Sequence, residues 1–125
     1  MPRKLVYDIV ESPAHPDISA LCNALGYQRE AFSSQRKAMS SLKRVKPDLV
    51  VADFFYGYGN NYAGANVSNL DVLLRSLQRF APDARVIVLA DRAELPHVSK
   101  LAALFDLHAV IALPASGQDL QAALS

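Results

Sequence analysis

The chain has 125 residues, of which 51% are hydrophobic and 20% are charged, a balance that excludes a disordered or fibrous protein and predicts one globular domain over residues 1–125. A net charge of +1 excludes a general electrostatic attraction to nucleic acid or to a membrane, and no apolar run approaches the roughly 18 residues that a membrane-spanning helix needs. The single cysteine, Cys22, and an N-terminus without the pattern of a signal peptide favour a cytoplasmic protein.

Strand-like and helix-like segments alternate along the chain. Residues 4–10 are rich in β-branched and aromatic side chains and predict a first strand. Pro16 and Asp17 open a predicted helix, and Gly26 ends it at the position where helices favour glycine. Residues 27–32 alternate between apolar and polar side chains, which predicts a half-exposed strand.

The middle of the chain holds the two most apolar segments, 48–53 and 85–90, which are typical of strands in the centre of a parallel sheet. A helix capped by Ser33 or Ser34 and ended by Pro47 precedes the first of them. The other predicted elements are a helix capped by Asn66 or Ser68 that runs through Phe80, a helix with Pro96 in its first turn, a strand at 108–113 and a helix at 116–124.

This alternation of five strands with five helices predicts an α/β fold, in which right-handed crossovers build a doubly wound parallel sheet with helices on both faces. Ligands of such sheets bind at the carboxyl ends of the strands, beside the point where the strand order reverses. Asp53 ends the third predicted strand and is therefore the first candidate for a functional residue.

The order, length and spacing of these elements resemble the receiver domain of bacterial two-component response regulators. KPDLVVAD resembles the third strand of that family with its phospho-accepting aspartate, and PDARVIVLAD resembles the fourth strand. The run from Asp106 to Pro114 resembles the fifth strand and the loop after it. The resemblance spans essentially the whole chain and implies a CheY-like, flavodoxin-like (βα)5 fold with strand order 2-1-3-4-5.

The chemistry of receivers requires more than the aspartate, because a phosphoryl group on a carboxylate needs a divalent cation and a fixed positive side chain. Members of the family supply an acidic pair after the first strand, a Ser or Thr that ends the fourth, and a Lys before a Pro after the fifth. In this sequence the acidic pair falls at Val10 and Glu11, the hydroxyl position at Ala90, and the lysine position at Leu113, before Pro114. The resemblance therefore implies a degenerate receiver, or pseudo-receiver, without conventional phosphorylation.

Asp53 is the equivalent of the phosphoacceptor in this comparison, and three interpretations of it stay open. It hydrogen-bonds the amides of a neighbouring loop, or it accepts a phosphoryl group. In the third interpretation it binds Mg²⁺ weakly together with Glu11, the remnant of the acidic pocket. No other cofactor is implied.

The segment 54–66, FFYGYGNNYAGAN, departs from the family, whose members continue with a shorter turn. Its glycines permit close backbone approach, so it either covers the edge of the sheet as a long turn or presents an interaction surface. No base or nucleophile clusters with its tyrosines, and no catalytic residue is assigned. The candidate contact residues are Phe54, Phe55, Tyr56, Tyr58 and Tyr62.

Histidines and basic residues predict no second site. His15, His97 and His108 lack metal-ligand spacing, and His15 and His97, near predicted helix starts, are interpreted as surface residues. The basic residues between 36 and 46 complement the C-terminus of their helix, so nucleic-acid binding is not expected.

We therefore expect a non-enzymatic regulatory domain that acts in signal transduction through contacts with a protein partner. The resemblance implies a contact face formed by the fourth helix, fifth strand and fifth helix, residues 96–124, which is also the candidate surface for a homodimer. Two alternatives stay open. One is a phosphorylatable receiver that uses Asp53, and the other is a small flavodoxin-like ligand-binding module or enzyme that uses segment 54–66.

Overall fold

A computed structural model describes residues 4–56 and 68–125 of the chain. Strands and helices alternate through these residues, as the sequence predicts. The strands are β1 (Leu5–Ile9), β2 (Gln28–Phe32), β3 (Leu49–Asp53), β4 (Arg85–Asp91) and β5 (Ala109–Leu113). The helices are α1 (Ser19–Ala24), α2 (Gln35–Leu42), α3 (Asp71–Phe80), α4 (Leu95–Ala102) and α5 (Gly117–Leu124), with a short 3₁₀ helix (Arg92–Glu94) leading into α4.

The strands form one sheet in the order β2-β1-β3-β4-β5, and every neighbouring pair is parallel. This arrangement confirms the predicted fold class and strand order. All of β1 and β3 is buried, and β4 is buried except at its two ends, whereas β2 and β5 form the edges of the sheet. The strand order reverses between β1 and β3, so the chain segments that follow these two strands meet at the carboxyl edge.

The side chains of successive strand residues point to opposite faces, which divides the core into two layers. On one face, α2, α3 and α4 pack against side chains such as Tyr7 and Val50. On the other face, α1 and α5 pack against side chains such as Val6 and Val51. Asp8 follows Tyr7 in β1, and the alternation places its side chain on the face of α1 and α5 even though the residue is fully buried.

Local signals set several element ends as predicted. The side-chain oxygens of Ser34 and Ser116 accept the backbone N–H groups of Lys37 and Asp119, so they cap α2 and α5. Gly26, the residue after the C-cap of α1, has a φ of +80°, which favours glycine because it has no side chain to clash.

The predicted start of the first helix is wrong, and the difference matters for the site. α1 begins at Ser19 rather than at Pro16. The Asp17 carboxylate accepts the backbone N–H of Ser19 at 2.9 Å and its hydroxyl at 2.6 Å, which holds the chain in a turn before the helix. Residues 10–17 therefore form a loop across the carboxyl edge of the sheet.

Two other helix ends also differ from the prediction. α2 ends at Leu42, several residues before Pro47. The N-cap residue of α3 is Leu70, which makes no side-chain capping bond; Ser68 accepts the N–H of Leu70 on its hydroxyl and directs its own N–H and hydroxyl to the carboxylate of Asp71. The alternative cap, Asn66, lies outside the described residues.

Phe54 belongs to the core, so its assignment as a contact residue of segment 54–66 is wrong. Its side chain is 2% exposed and packs in the layer of α2, α3 and α4. The physical reason is that pairing between β3 and β4 continues past Asp53, since the N–H of Phe54 donates to the carbonyl of Leu89 at 2.8 Å. Segment 54–66 therefore starts inside the protein.

We expect Phe54→Ala to lower the free energy of unfolding by ~3–5 kcal/mol, because the change empties a packed core position. The matched control is Tyr56→Ala, two residues along the chain, where the side chain is 43% exposed and a loss of about 1 kcal/mol or less is expected. Urea unfolding followed by circular dichroism measures both values. Equal losses in the two variants would contradict the placement of Phe54 in the core.

Candidate functional site

Asp53 lies at the carboxyl end of β3 with 1% of its surface exposed. Its Oδ2 atom accepts the backbone N–H groups of Glu11 and Ser12, each at 3.0 Å. These amides reach Asp53 because the chain leaving β1 crosses the end of β3, its neighbour in the sheet. The carboxylate thus anchors the first residues of the loop 10–17.

His15, near the end of that loop, places its imidazole ring between two carboxylates. Its Nδ1 lies 2.9 and 3.0 Å from the two oxygens of Asp53, and its Nε2 lies 2.6 Å from Oδ1 of Asp8. The side chain is 1% exposed, so its interpretation as a surface residue is wrong. A carboxylate oxygen faces each ring nitrogen, and an imidazole donates from both nitrogens only when it is protonated.

Asp8 is the second carboxylate of the site, and it has a cationic partner of its own. Its Oδ2 accepts the Nε–H of Arg29, on β2, at 2.7 Å. The Arg29 side chain is partly exposed, so this end of the cluster reaches solvent. Two carboxylates and two cations balance in charge when His15 is protonated, which is the condition under which buried charges are tolerated.

The charge of His15 is set by a competition between burial and its partners. Burial of the imidazole lowers its pKa, but the hydrogen bonds to Asp53 and Asp8 and the negative charges of both carboxylates outweigh that effect. The pKa of His15 is raised from 6.5 to about 9 as a result. The imidazole is therefore a cation at neutral pH.

Glu11 does not form the acidic pocket that the sequence predicts. Its carboxylate points toward α2, where its Oε1 accepts the side-chain N–H of Gln35 at 3.1 Å, and only its backbone N–H contacts Asp53. Glu11 lies beyond the end of β1, so the alternation of the strand no longer directs its side chain to the sheet. The buried acid linked to Asp53 through His15 is Asp8 instead.

Sequence reasoning missed Asp8, His15 and Arg29 as members of the site. Asp8 carried a usable signal, since an aspartate in the middle of an otherwise apolar strand is rarely buried without a partner. Its cationic partners could not be chosen from the sequence, because the contacts that hold them depend on the fold.

The two degenerate switch positions are those where members of the receiver family carry a hydroxyl and a lysine, and in the structure both are buried among apolar side chains. Ala90, in β4, is buried in the layer of α2, α3 and α4, and Leu113, at the end of β5, is buried in the layer of α1 and α5. Neither side chain can donate a hydrogen bond to a group on Asp53. The neighbouring strand ends therefore supply packing, and the polar chemistry of the site comes from β1, β2, β3 and the loop 10–17.

Tyr56 is exposed, and of the described candidates of segment 54–66 it is the one that lies against α4. Its ring stacks on His97, with 3.7 Å between ring centroids and 12° between planes. Lys100 donates to its hydroxyl at 3.1 Å, and Glu94 accepts its backbone N–H at 3.3 Å. Phe55 is half-buried. The other two candidates, Tyr58 and Tyr62, lie outside the described residues.

Comparison with known proteins identifies the fold. No family model and no curated protein matches the chain. Solved structures do match, including the signal receiver domain of a putative Luxo repressor protein from Vibrio parahaemolyticus, with a TM-score of 0.71 and 16% identity over 98% of this chain and 88% of that one. A CheY-like response regulator receiver domain protein from Methanospirillum hungatei JF-1 has a TM-score of 0.72 and 15% identity over 98% and 91%.

A third similar structure carries a metal ion. It is the receiver domain of a sensor histidine kinase from Pseudomonas aeruginosa PAO1 with a magnesium ion coordinated in the active site cleft, and it has a TM-score of 0.66 and 16% identity over 98% of this chain and 95% of that one. These matches show that the chain has the fold of receiver domains, and at such identities they establish the fold alone.

A magnesium ion does not fit the donor set of this site. Mg²⁺ requires oxygen ligands in near-octahedral geometry, whereas the oxygens of Asp53 face N–H donors and those of Asp8 face His15 and Arg29. Among residues 4–56 and 68–125, no group of three or more His, Cys, Asp or Glu side chains is arranged to hold a metal ion. The weak metal site suggested for Glu11 and Asp53 stays a prediction; in the structure the Glu11 carboxylate contacts Gln35 and the Asp53 carboxylate contacts His15.

Among residues 4–56 and 68–125, every helix falls short of the length and apolar character that crossing a membrane requires.

The stabilising effect of His15 is expected to depend on pH. The folded protein raises its pKa above the unfolded value, so the contribution is full below pH 6.5 and declines as the pH rises from there through about 9. The difference in unfolding free energy between wild type and His15→Gln should therefore shrink between pH 6 and pH 10. Urea unfolding at a series of pH values measures it.

His97→Gln is the matched control for this experiment, since His97 stacks on Tyr56 and has no carboxylate bridge among the described ion pairs. Its difference from wild type gives the effect of removing an imidazole that lies outside the bridge. A His15→Gln difference that does not change with pH would show that His15 is not a buried cation.

Proposed function

We propose that this chain is a degenerate receiver domain, a pseudo-receiver, that regulates a bacterial signalling process through protein contacts and without phosphorylation of Asp53. The proposal makes it a non-enzymatic cytoplasmic protein that needs no cofactor. The observation that carries it is the occupation of the Asp53 carboxylate by His15 and by two backbone amides.

Phosphorylation of an aspartate requires a free carboxylate oxygen to attack the donor and positive groups to neutralise the transferred phosphoryl oxygens. Oδ2 of Asp53 accepts the amides of Glu11 and Ser12 and contacts His15, and Oδ1 also faces the imidazole. An attacking oxygen would have to break these contacts. Ala90 and Leu113 provide neither a hydroxyl nor a cation, so these two positions offer no contacts that would compensate for the loss.

Intact mass after incubation with Mg²⁺ and acetyl phosphate tests the proposal. We expect no phosphate-sized gain in wild type, and none in Asp53→Asn, with a conventional receiver domain as the positive control in the same buffer. A gain in wild type that is lost in Asp53→Asn would overturn the proposal and make the chain a phosphorylatable receiver.

The difference between the two edge strands of the sheet, β2 and β5, supports the contact face proposed for residues 96–124. β2 carries Arg29 and Glu30, and charged side chains discourage pairing at an exposed edge, whereas β5 (AVIAL) has no charged residue at all. Val110, in β5, is 41% exposed, and Leu104, just after α4, is 56% exposed. A groove of about 430 Å³ between β5 and α5 is lined in part by Val110.

A second copy of this chain is the partner that we propose for this face, because an uncharged edge strand and exposed apolar side chains complement themselves in a symmetric dimer. Sedimentation velocity over a range of concentrations should detect the dimer. Val110→Lys is expected to shift the protein to monomer, while Ala31→Lys, on the exposed side of the opposite edge strand, should leave the dimer intact. A wild type that stays monomeric at every concentration would contradict the homodimer.

A further inference from the structure

The loop 10–17 delivers His15 to the site by a turn that its own sequence favours. Ser12 and Pro13 occupy the first two positions of a four-residue turn, where serine and proline are common. The N–H of His15 donates to the carbonyl of Ser12 at 3.1 Å and closes the turn, while the N–H of Ala14 donates to the Ser12 hydroxyl. The backbone amides of Glu11 and Ser12 are meanwhile fixed on Asp53.

The imidazole supplies the positive charge that the two carboxylates require. Two negative groups on neighbouring buried strands repel each other, and each resists the loss of water unless a cation lies close by. Arg29 reaches only Oδ2 of Asp8. Among residues 4–56 and 68–125, the ion pairs of Asp53 involve His15 alone.

We infer that His15 is a tethered cation, carried by loop 10–17, that fills the space between Asp8 and Asp53 and thereby excludes a divalent metal ion from a site that these carboxylates would otherwise form. The inference deepens the proposed function and rests on the same contact between His15 and Asp53. It concerns a metal site that His15 occupies in the wild-type protein, whereas the proposed function concerns phosphorylation and protein partners.

The size of the gap indicates how a metal ion would bind once the ring is gone. The contacts of 2.6 and 2.9 Å on either side of the imidazole, together with the width of the ring, exceed two Mg–O bonds of about 2.1 Å each. A Mg²⁺ ion usually keeps several of its water molecules in proteins. Asp8 and Asp53 would therefore hold the ion together with some of its water molecules.

Thermal unfolding with increasing MgCl₂, matched by NaCl at equal ionic strength, tests the inference. His15→Ala is expected to unfold at a lower temperature than wild type, since it leaves two buried carboxylates with Arg29 as their remaining cation. Mg²⁺ should then raise its unfolding temperature in a saturable manner, because a ligand that binds only the folded state stabilises it. Wild type should show no such response.

Three further variants separate the metal site from general effects. His15→Gln keeps most of the side-chain volume without the charge, so it should also respond to Mg²⁺ and provides the measurement if His15→Ala does not fold. His15→Lys keeps a positive charge on the same loop and should not respond. His15→Gln combined with Asp53→Asn removes one of the two carboxylates and should lose the response. Isothermal titration of Mg²⁺ into His15→Gln gives the affinity directly.

The outcomes distinguish this inference from the proposed function. Equal Mg²⁺ responses in wild type and His15→Gln, or no response in either, would overturn the inference. A phosphate-sized mass gain in wild type would overturn the proposed function instead. A metal-binding His15→Gln that still gains no phosphate from acetyl phosphate would support both, because Ala90 and Leu113 remain unable to contact a phosphoryl group.

Discussion

The carboxyl edge of this sheet depends on one buried imidazolium held between two carboxylates. His15 joins β1, through Asp8, to β3, through Asp53, and Arg29 extends the connection to β2. Buried charges of this kind are stable only as a complete set, since the removal of one leaves its partners without compensation in a region of low dielectric. The path of the loop 10–17 and the protonation of His15 both follow from that requirement.

The same constraint determines which groups lie between the ends of β1 and β3 in this fold. The fold brings the ends of β1 and β3 together at the edge where ligands of such open sheets bind. Here the cation is a side chain, supplied by the loop that leaves β1. A fold determines where a site lies, whereas the residues present determine its chemistry.

The sequence predicted the fold more completely than the site, because the patterns that indicate the fold are local whereas the contacts of the site join residues far apart in the chain. Apolar strands, the caps Ser34 and Ser116 and the glycine after α1 are recognisable within a few residues. The contact between His15 and Asp53 joins residues 38 positions apart. Strand alternation directs the side chain of Asp8 inward, but it ends where β1 ends and so does not direct that of Glu11.

The stacking of Tyr56 on His97 connects the Asp53 site with α4, since Tyr56 lies three residues after Asp53 and His97 belongs to α4. Such a connection transmits a change only if one of its ends has two discrete arrangements. The Asp53 end is held by hydrogen bonds to the loop and by a charge-balanced bridge, which favours a single arrangement. The α4 end is exposed, with Lys100 and Tyr56 both accessible to a partner. Of the two ends of this connection, the α4 end is therefore the one that a protein partner could contact directly.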